Sequence, residues 1–344
     1  MTGSAGSGDG QARRAAIAGI GSFVPERVVT NDDLAQTLDT SDEWIRSRTG
    51  IGSRRVIDPE NATSDLAVAA AQKALDRAGI EPSQVDLIIV ATVTPDMMFP
   101  STACLVQERL GAKRAAAFDL EAACSGFIYA LATGAQFIQS GFYDTVLVIG
   151  AETLSKITDW SDRSTAVLFG DGAGAVVLRP VPADRGGILS VHLEADGAGA
   201  DLIQQPAGGS RLPASNETVA ARLHFLQMNG REVYKFAVKA MGDAAAAAVK
   251  KAGLTFGDID LYVPHQANYR IIEASARRFG LPMDRVVVNI EHYGNTSAAS
   301  IPIALDESFR SGRIKAGDNV LMVAFGGGLT WAAAVVQWTL SDRG

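Results

Sequence analysis

Cys124 stands within AFDLEAACSGFIYAL, residues 117–131. There an extended apolar stretch passes through small residues into Phe127, Ile128, Tyr129 and Leu131 at helical spacing. The pattern predicts a strand, a tight turn and a helix whose first turn begins at or just after Cys124. A thiol so placed faces unpaired backbone N–H groups and the positive end of the helix dipole. Both favour the thiolate, the form of cysteine that attacks carbonyl carbon. The competing reading is an inert buried cysteine, since Cys is among the most buried residue types. Two further side chains that could do chemistry are His265, after the apolar run DLYVP, and Asn295, in the loop HYGNTSAAS that leads into a run of small residues. Cys104 falls on the apolar stripe of FPSTACLVQERLG and reads as core, while His192, His224 and His292 read as structural or surface residues.

The elements that must position these groups follow from periodicity. AAIAGIGSFVP reads as a strand and TNDDLAQTL as a helix capped at Thr30 or Asn31. SDEWIRSRTGI reads as a short helix carrying Trp44, Arg46 and Arg48. TSDLAVAAAQKALDRAGI is an amphipathic helix closing at Gly79, and DLIIVATVT and TVLVIGAE are buried strands of the kind found in parallel sheets. TAVLFGDGAGAVVLRP reads as two strands joined through glycines.

The second half then repeats this order. Ala78 and Ala252, Asp86 and Asp260, Leu131 and Leu305, and Asp144 and Asp318 are each separated by 174 positions. An internal duplication is implied, each half an α/β layer with a mostly parallel sheet and helical crossovers. We divide the chain into a flexible N-terminus (1–14), an N-terminal half with the cysteine (15–182) and a C-terminal half with His265 and Asn295 (183–344). The link from Pro180 to Gln227 predicts an irregular excursion serving as lid or pocket wall. Ligands of α/β sheets bind beyond the carboxyl ends of the strands. A pseudo-two-fold relation would therefore bring Cys124, His265, Asn295 and the glycines Gly326, Gly327 and Gly328 into one crevice.

Composition narrows the classes. The chain has 344 residues, 47% hydrophobic and 20% charged, enough for a large core. A net charge of −7 and the lack of a basic stripe argue against nucleic acid. Two cysteines make no disulfide framework, and no zinc-type cluster is present in the sequence. The first residues lack an apolar signal-type core and no run reaches membrane-spanning length, so a soluble cytoplasmic protein is expected. GSGDG, GDGAG and GGG match neither dinucleotide nor Walker-type loops.

With SDEWIRSRTGI, ACSGFIYAL, DRSTAVLFGDGAGA, VPHQAN, YGNTSAASIPIAL and AFGGGLTW in this order, the chain resembles the thiolase superfamily. Within it, the resemblance is to the β-ketoacyl-[acyl-carrier-protein] synthase III family and runs from about Ala15 to the last strand. It implies a duplicated, five-layered α-β-α-β-α fold and a homodimer. It also implies a catalytic set of Cys124, His265 and Asn295, with an oxyanion hole from the N–H groups of Cys124 and Gly327. The implied reaction is self-acylation from a short acyl-CoA, then decarboxylative condensation with malonyl-acyl-carrier-protein, without metal or redox cofactor. Elongating synthases resemble a Cys-His-His set instead, and thiolases need a second late cysteine. Plant-type polyketide synthases share Cys-His-Asn, so a synthase III-like or plant-type polyketide synthase-like condensing enzyme of secondary metabolism is the alternative enzyme; a non-catalytic acyl- or carrier-binding homologue is the alternative of another class.

The same resemblance assigns Thr40, Trp44, Arg48 and Arg163 to the CoA nucleotide. It assigns Lys235, Gln266, Ala267, Asn268, Tyr269, Arg270 and Arg277 to docking of an acidic carrier. Phe99 is assigned to the acyl pocket across a dimer interface. Against these stand ordinary readings, a packed Trp44 and solvated surface charges.

Overall fold

The computed structural model describes residues 13–341. Of the N-terminal segment expected to be loose, residues 1–12 lie outside the described residues, whereas Arg13 and Arg14 open a strand and pair with Pro182 and Val181. The first sheet contains β1 (Arg13–Phe23), β2 (Leu87–Ala91), β3 (Ala116–Leu120), β4 (Val146–Thr153) and β5 (Asp171–Pro182). Their order is β1-β5-β4-β2-β3. β2 pairs parallel with β3 and β4, and β5 pairs antiparallel with β4 and β1, so every strand but β5 runs the same way. The second sheet contains β6 (Gly187–Ala195), β7 (Leu261–Pro264), β8 (Asn319–Gly326) and β9 (Thr330–Gln337). Its order is β7-β8-β9-β6, and β9 is its reversed strand.

Six helices carry the layers, α2 (Thr63–Ala78), α3 (Thr102–Leu110), α4 (Gly126–Gln139), α6 (Gly230–Lys251), α7 (Tyr269–Phe279) and α8 (Ser300–Arg310), and among the shorter ones α1 (Asp42–Thr49) and α5 (Arg163–Ala166) bear on the site. Successive side chains of a strand face opposite sides. Leu87, Ile89 and Ala91 accordingly join Phe127, Leu131, Ile301 and Leu305 of α4 and α8 in a central core. Ile88 and Val90 turn outward to Leu66, Leu75 and Val106 of α2 and α3. In the second sheet Val320 and Met322 face the same central helices, and Leu321 and Val323 face Met241 and Ile272 of α6 and α7. The result is α-β-α-β-α, with the two central helices buried between the sheets.

The spacing of 174 recurs in the structure. It separates the starts of β2 and β7 and the starts of α4 and α8. Each central helix is entered through a 3-10 turn, Ala123–Ser125 in one half and Ser297–Ala299 in the other. Each turn begins on a residue with positive φ, Ala123 at 45° and Ser297 at 47°. These are left-handed positions that non-glycine residues enter rarely, so the duplicated elbow is an over-determined feature of both halves.

Three local expectations are corrected. Cys104 is exposed, not core. The buried face of α3 is Thr102, Ala103, Val106 and Leu110, and Cys104 lies off it. TAVLFGDGAGAVVLRP is not two strands. Its first residues close α5, where the Asp162 carboxylate accepts the Ser164 N–H, and a single long strand, β5, comes next. The excursion after Pro180 is partly regular, because Gly187–Ala195 forms the edge strand β6 against β9. Beyond β6 the chain is irregular, with a 3-10 stretch at Gly197–Leu202 and a small ladder joining Gln227 to Gln204.

Candidate active site

The strand, elbow and helix around Cys124 form as the sequence predicts, and their setting explains why the turn is tight. β8 ends at Gly326, where a Cβ would fall 2.5 Å from the Cys124 nitrogen and 3.0 Å from the Ala123 Cβ. Only glycine allows the elbow to seat there. The seat is then laced to the neighbouring strand: Ser125 Oγ donates to the Thr330 carbonyl at 3.1 Å, and Thr330 Oγ1 donates to the Ala122 carbonyl at 2.9 Å. Gly326→Ala is expected to shift the Cys124 backbone and to slow the acylation that the resemblance implies by about 10²-fold, the usual cost of misplacing reacting atoms by an ångström. Single-turnover kinetics at the wild-type rate would contradict this.

Asn295 is placed by the first half of the chain. Its N–H donates to the Leu168 carbonyl at 2.8 Å, and its carbonyl accepts the Gly170 N–H at 3.0 Å. That segment is held in turn by Arg54, which is fully buried. Its guanidinium donates to the Val167 carbonyl at 2.9 Å and to Asn31 Oδ1 at 2.9 Å. The Asn295 Oδ1 accepts the Ser297 N–H at 2.8 Å, which commits the oxygen and turns the amide nitrogen to the remaining side. His265 follows β7 and is 1% exposed. Its Nδ1 lies 2.7 Å from Ser300 Oγ, its Nε2 has no partner, and its ring meets Phe325 edge-on at 5.9 Å.

Cys124, His265, Asn295, Gly326 and Gly327 all line one cavity of about 1710 Å³. Its electrostatics differ from the expectation that the helix terminus favours the thiolate. Burial pushes the Cys124 thiol up to about 12; the nearby Ser297 hydroxyl lowers it and the charge of Glu152 raises it further. Desolvation is the largest of these causes, although the residue itself is only partly buried. Burial also holds His265 down to about 3, so the resting pair is neutral thiol and neutral imidazole, not thiolate and imidazolium. A neutral imidazole and a carboxamide suit donation to a developing oxyanion.

The other expected residues divide. Trp44, Arg48 and Arg163 line the same cavity at its outer end. Both guanidiniums lie over the Trp44 ring, at 5.9 Å for Arg48 and 5.0 Å for Arg163. Thr40 does not line the cavity, and its Oγ1 is buried without a partner. Lys235, Ala267, Asn268 and Arg270 also line it. Gln266 does not and cannot present its side chain to a partner. It is 1% exposed, donates to the carbonyls of Pro264 and Val287, and accepts the N–H groups of Asn289 and Ile290. Tyr269 and Arg277 are exposed outside the cavity. Phe99, 84% exposed, does not reach this chain's own cavity; Met97 and Met98 beside it do.

Sequence reasoning missed Ser297, Ser300 and Glu152. The 174-residue spacing was the available signal for the serines, since Ser297 matches the elbow residue Ala123 and Ser300 matches Gly126. Glu152 was visible as a lone acid in the apolar run TVLVIGAE. It is fully buried, accepts from Thr94 Oγ1 at 2.6 Å and the Val93 N–H at 3.1 Å, and is raised by burial to about 7.

Two family models match the chain: 3-oxoacyl-[acyl-carrier-protein] synthase III over residues 118–206, and the C-terminal part of the same enzyme over 249–338. A β-ketoacyl-[acyl-carrier-protein] synthase III of Desulfitobacterium hafniense is 58% identical, covering 95% of this chain and 98% of its own length. One of Clostridioides difficile is 56% identical, with 95% and 99% covered. Among solved structures, the Thermus thermophilus synthase III superposes with a TM-score of 0.88 at 53% identity, covering 94% of this chain and 99% of its own. The priming β-ketosynthase of the R1128 polyketide pathway superposes equally well, with a TM-score of 0.89, but at 38% identity and with 96% and 97% covered.

Proposed function

Since this chain belongs to the 3-oxoacyl-[acyl-carrier-protein] synthase III family and is a condensing acyltransferase that initiates fatty acid synthesis, we propose that Cys124, His265 and Asn295 carry its two half-reactions. The single observation behind the assignment is the convergence of these three side chains on one cavity with Gly326 and Gly327. In the first half-reaction the Cys124 sulfur attacks the carbonyl of a short acyl-CoA. The C–S bond to CoA breaks, and CoA leaves with a proton. The N–H groups of Cys124 and Gly327 hold the tetrahedral oxyanion; as a first-turn residue Cys124 has no intrahelical acceptor for its N–H.

In the second half-reaction malonyl-carrier loses CO₂, and the electron pair of the broken C–C bond passes into an enolate. His265 Nε2 and Asn295 Nδ2 donate to the enolate oxygen, which needs donors and not a base. The carbanion then forms the new C–C bond to the acyl-Cys124 carbonyl and expels the sulfur, leaving a 3-oxoacyl-carrier. These steps require no metal or redox cofactor.

Trp44, with the Arg48 and Arg163 guanidiniums close to its ring, offers an aromatic surface and two cations for the CoA nucleotide. Thr40 belongs to the same region, with a buried hydroxyl free to pair. Lys235, Ala267, Asn268 and Arg270 form the rim toward an acidic carrier, with Tyr269 and Arg277 on the surface beyond it. Phe99 and Met98 are exposed in the loop between β2 and α3 and fit a homodimer in which Phe99 enters the partner's acyl pocket. We place the enzyme in the cytoplasm; among the described residues no helix is long and apolar enough to cross a membrane.

The test is the intact mass of the enzyme after incubation with acetyl-, isobutyryl- and longer acyl-CoAs. One acyl group per chain, mapped to the Cys124 peptide, is expected. A protein unmodified by every CoA, or modified only at Cys104, would overturn the assignment.

A further inference from the structure

The direction of the His265 hydrogen bonds is set by the surroundings of Ser300. Its Oγ has two neighbours within hydrogen-bonding distance: His265 Nδ1 at 2.7 Å and the Gln266 N–H at 3.4 Å. The N–H can only donate. Among the described residues no carbonyl or carboxylate accepts the Ser300 hydroxyl, so its proton has one acceptor, the Nδ1 lone pair. An imidazole that accepts at Nδ1 carries its proton on Nε2. That nitrogen is buried and unpaired on the cavity side.

We infer that Ser300 is a positioning residue that locks neutral His265 in the Nε2–H tautomer, making the imidazole a donor toward the cavity. Two independent features agree. The duplication matches Ser300 with Gly126 and His265 with Ala91, so the hydroxyl and the imidazole occur together in one half and are both missing from the other. The side chain of Gln266, whose N–H sets the serine, is itself fixed by four hydrogen bonds to backbone groups. In the resting enzyme His265 is then no base for the Cys124 thiol, because its Nε2 has no free lone pair. Burial, which holds the ring at about 3, keeps it neutral at working pH.

The consequence for rate rests on the function proposed above, whereas the tautomer does not, and the experiment separates them. Long-range ¹H–¹⁵N correlation spectra of the full-length, ¹⁵N-histidine-labelled enzyme, assigned with His265→Gln, read the tautomer directly. A protonated Nε2 and bare Nδ1 are expected, unchanged across roughly pH 5 to 8, where ordinary histidines titrate. A protonated Nδ1 in the wild type overturns the inference whatever the activity. Ser300→Ala is expected to bring in the second tautomer and to slow malonyl-carrier decarboxylation by roughly 10- to 100-fold, the scale for losing a partner that orients a functional imidazole. Acyl transfer from CoA should fall less, and Ser300→Thr should recover the Nε2–H tautomer. A folded Ser300→Ala that keeps Nε2–H as its single tautomer overturns the lock, and one that loses it yet decarboxylates at the wild-type rate overturns the consequence for rate. Lack of self-acylation in the wild type refutes the functional reading and leaves the spectrum to decide the tautomer.

Discussion

Cys124→Ala is expected to form no acyl-enzyme and to lose condensation by on the order of 10⁶-fold, the scale for removing a nucleophile from an assembled site. The substitution keeps the Cβ and deletes one sulfur from a residue at the cavity wall, so the unfolding midpoint should stay close to wild type. The variant retains His265 and Asn295, and it should still decarboxylate malonyl-carrier slowly without making a 3-oxoacyl product. Carrier-bound products resolved by mass spectrometry provide the check, and turnover near the wild-type level would end the mechanism. The same thiol fixes a pH dependence. With the group pushed up to about 12, the thiolate fraction at neutrality is small and grows about tenfold per pH unit. Alkylation of the Cys124 peptide in the empty enzyme should therefore climb through roughly pH 6 to 9 without a plateau. A plateau near neutrality would mean that the helix terminus wins over desolvation.

Asn295→Ala is the second large effect, expected to slow decarboxylation by about 10²- to 10³-fold, equivalent to about 2.7–4 kcal/mol for one lost oxyanion donor. The Asn295 Oδ1 also accepts the Ser297 N–H, so alanine removes a donor and a support of a strained elbow at once. Asn295→Asp separates the roles, since it keeps an acceptor for Ser297 and replaces the donor with an oxygen that repels the enolate. If donation is what matters, the aspartate variant decarboxylates at least as slowly as the alanine variant while acylating more readily. Equal slowing of acylation and decarboxylation in both variants would count against the assigned role.

Much of this site was legible because duplication leaves a ruler in the sequence. The 174-residue spacing located the elbows and put His265 and Asn295 at the sheet end that receives Cys124. Periodicity likewise placed β2, β4, α2 and α4, whose apolar faces are continuous. The failures have a common physical cause. They concern what a residue touches across the chain, which spacing along the chain does not encode. Gln266 sits in a motif of surface character but is consumed by four backbone partners. Cys104 shares an apolar run, yet α3 is rotated so that Val106 and Leu110 take the core. β6 was hidden in the turn-rich link because Ser190, His192 and Glu194 interrupt its apolar residues. The desolvation that pushes the Cys124 thiol up was not legible either, because it depends on the whole cavity wall and not on the local turn.

The close approach at Gly326 has a mirror on the other sheet: a Cβ on Gly150 of β4 would fall 2.3 Å from the Ala298 carbonyl oxygen of the opposite elbow. Each half thus plugs its elbow into a notch in the strand of the other. A two-domain enzyme that opened like a clamshell would need its reacting groups apart in the open state. Here they sit at the keystone, where separation of the halves would pull both elbows from their notches. With the two sheets locked, substrate and product are expected to pass at the exposed part of the cavity lining, which includes Arg48, Arg163, Gly208 and Gly209.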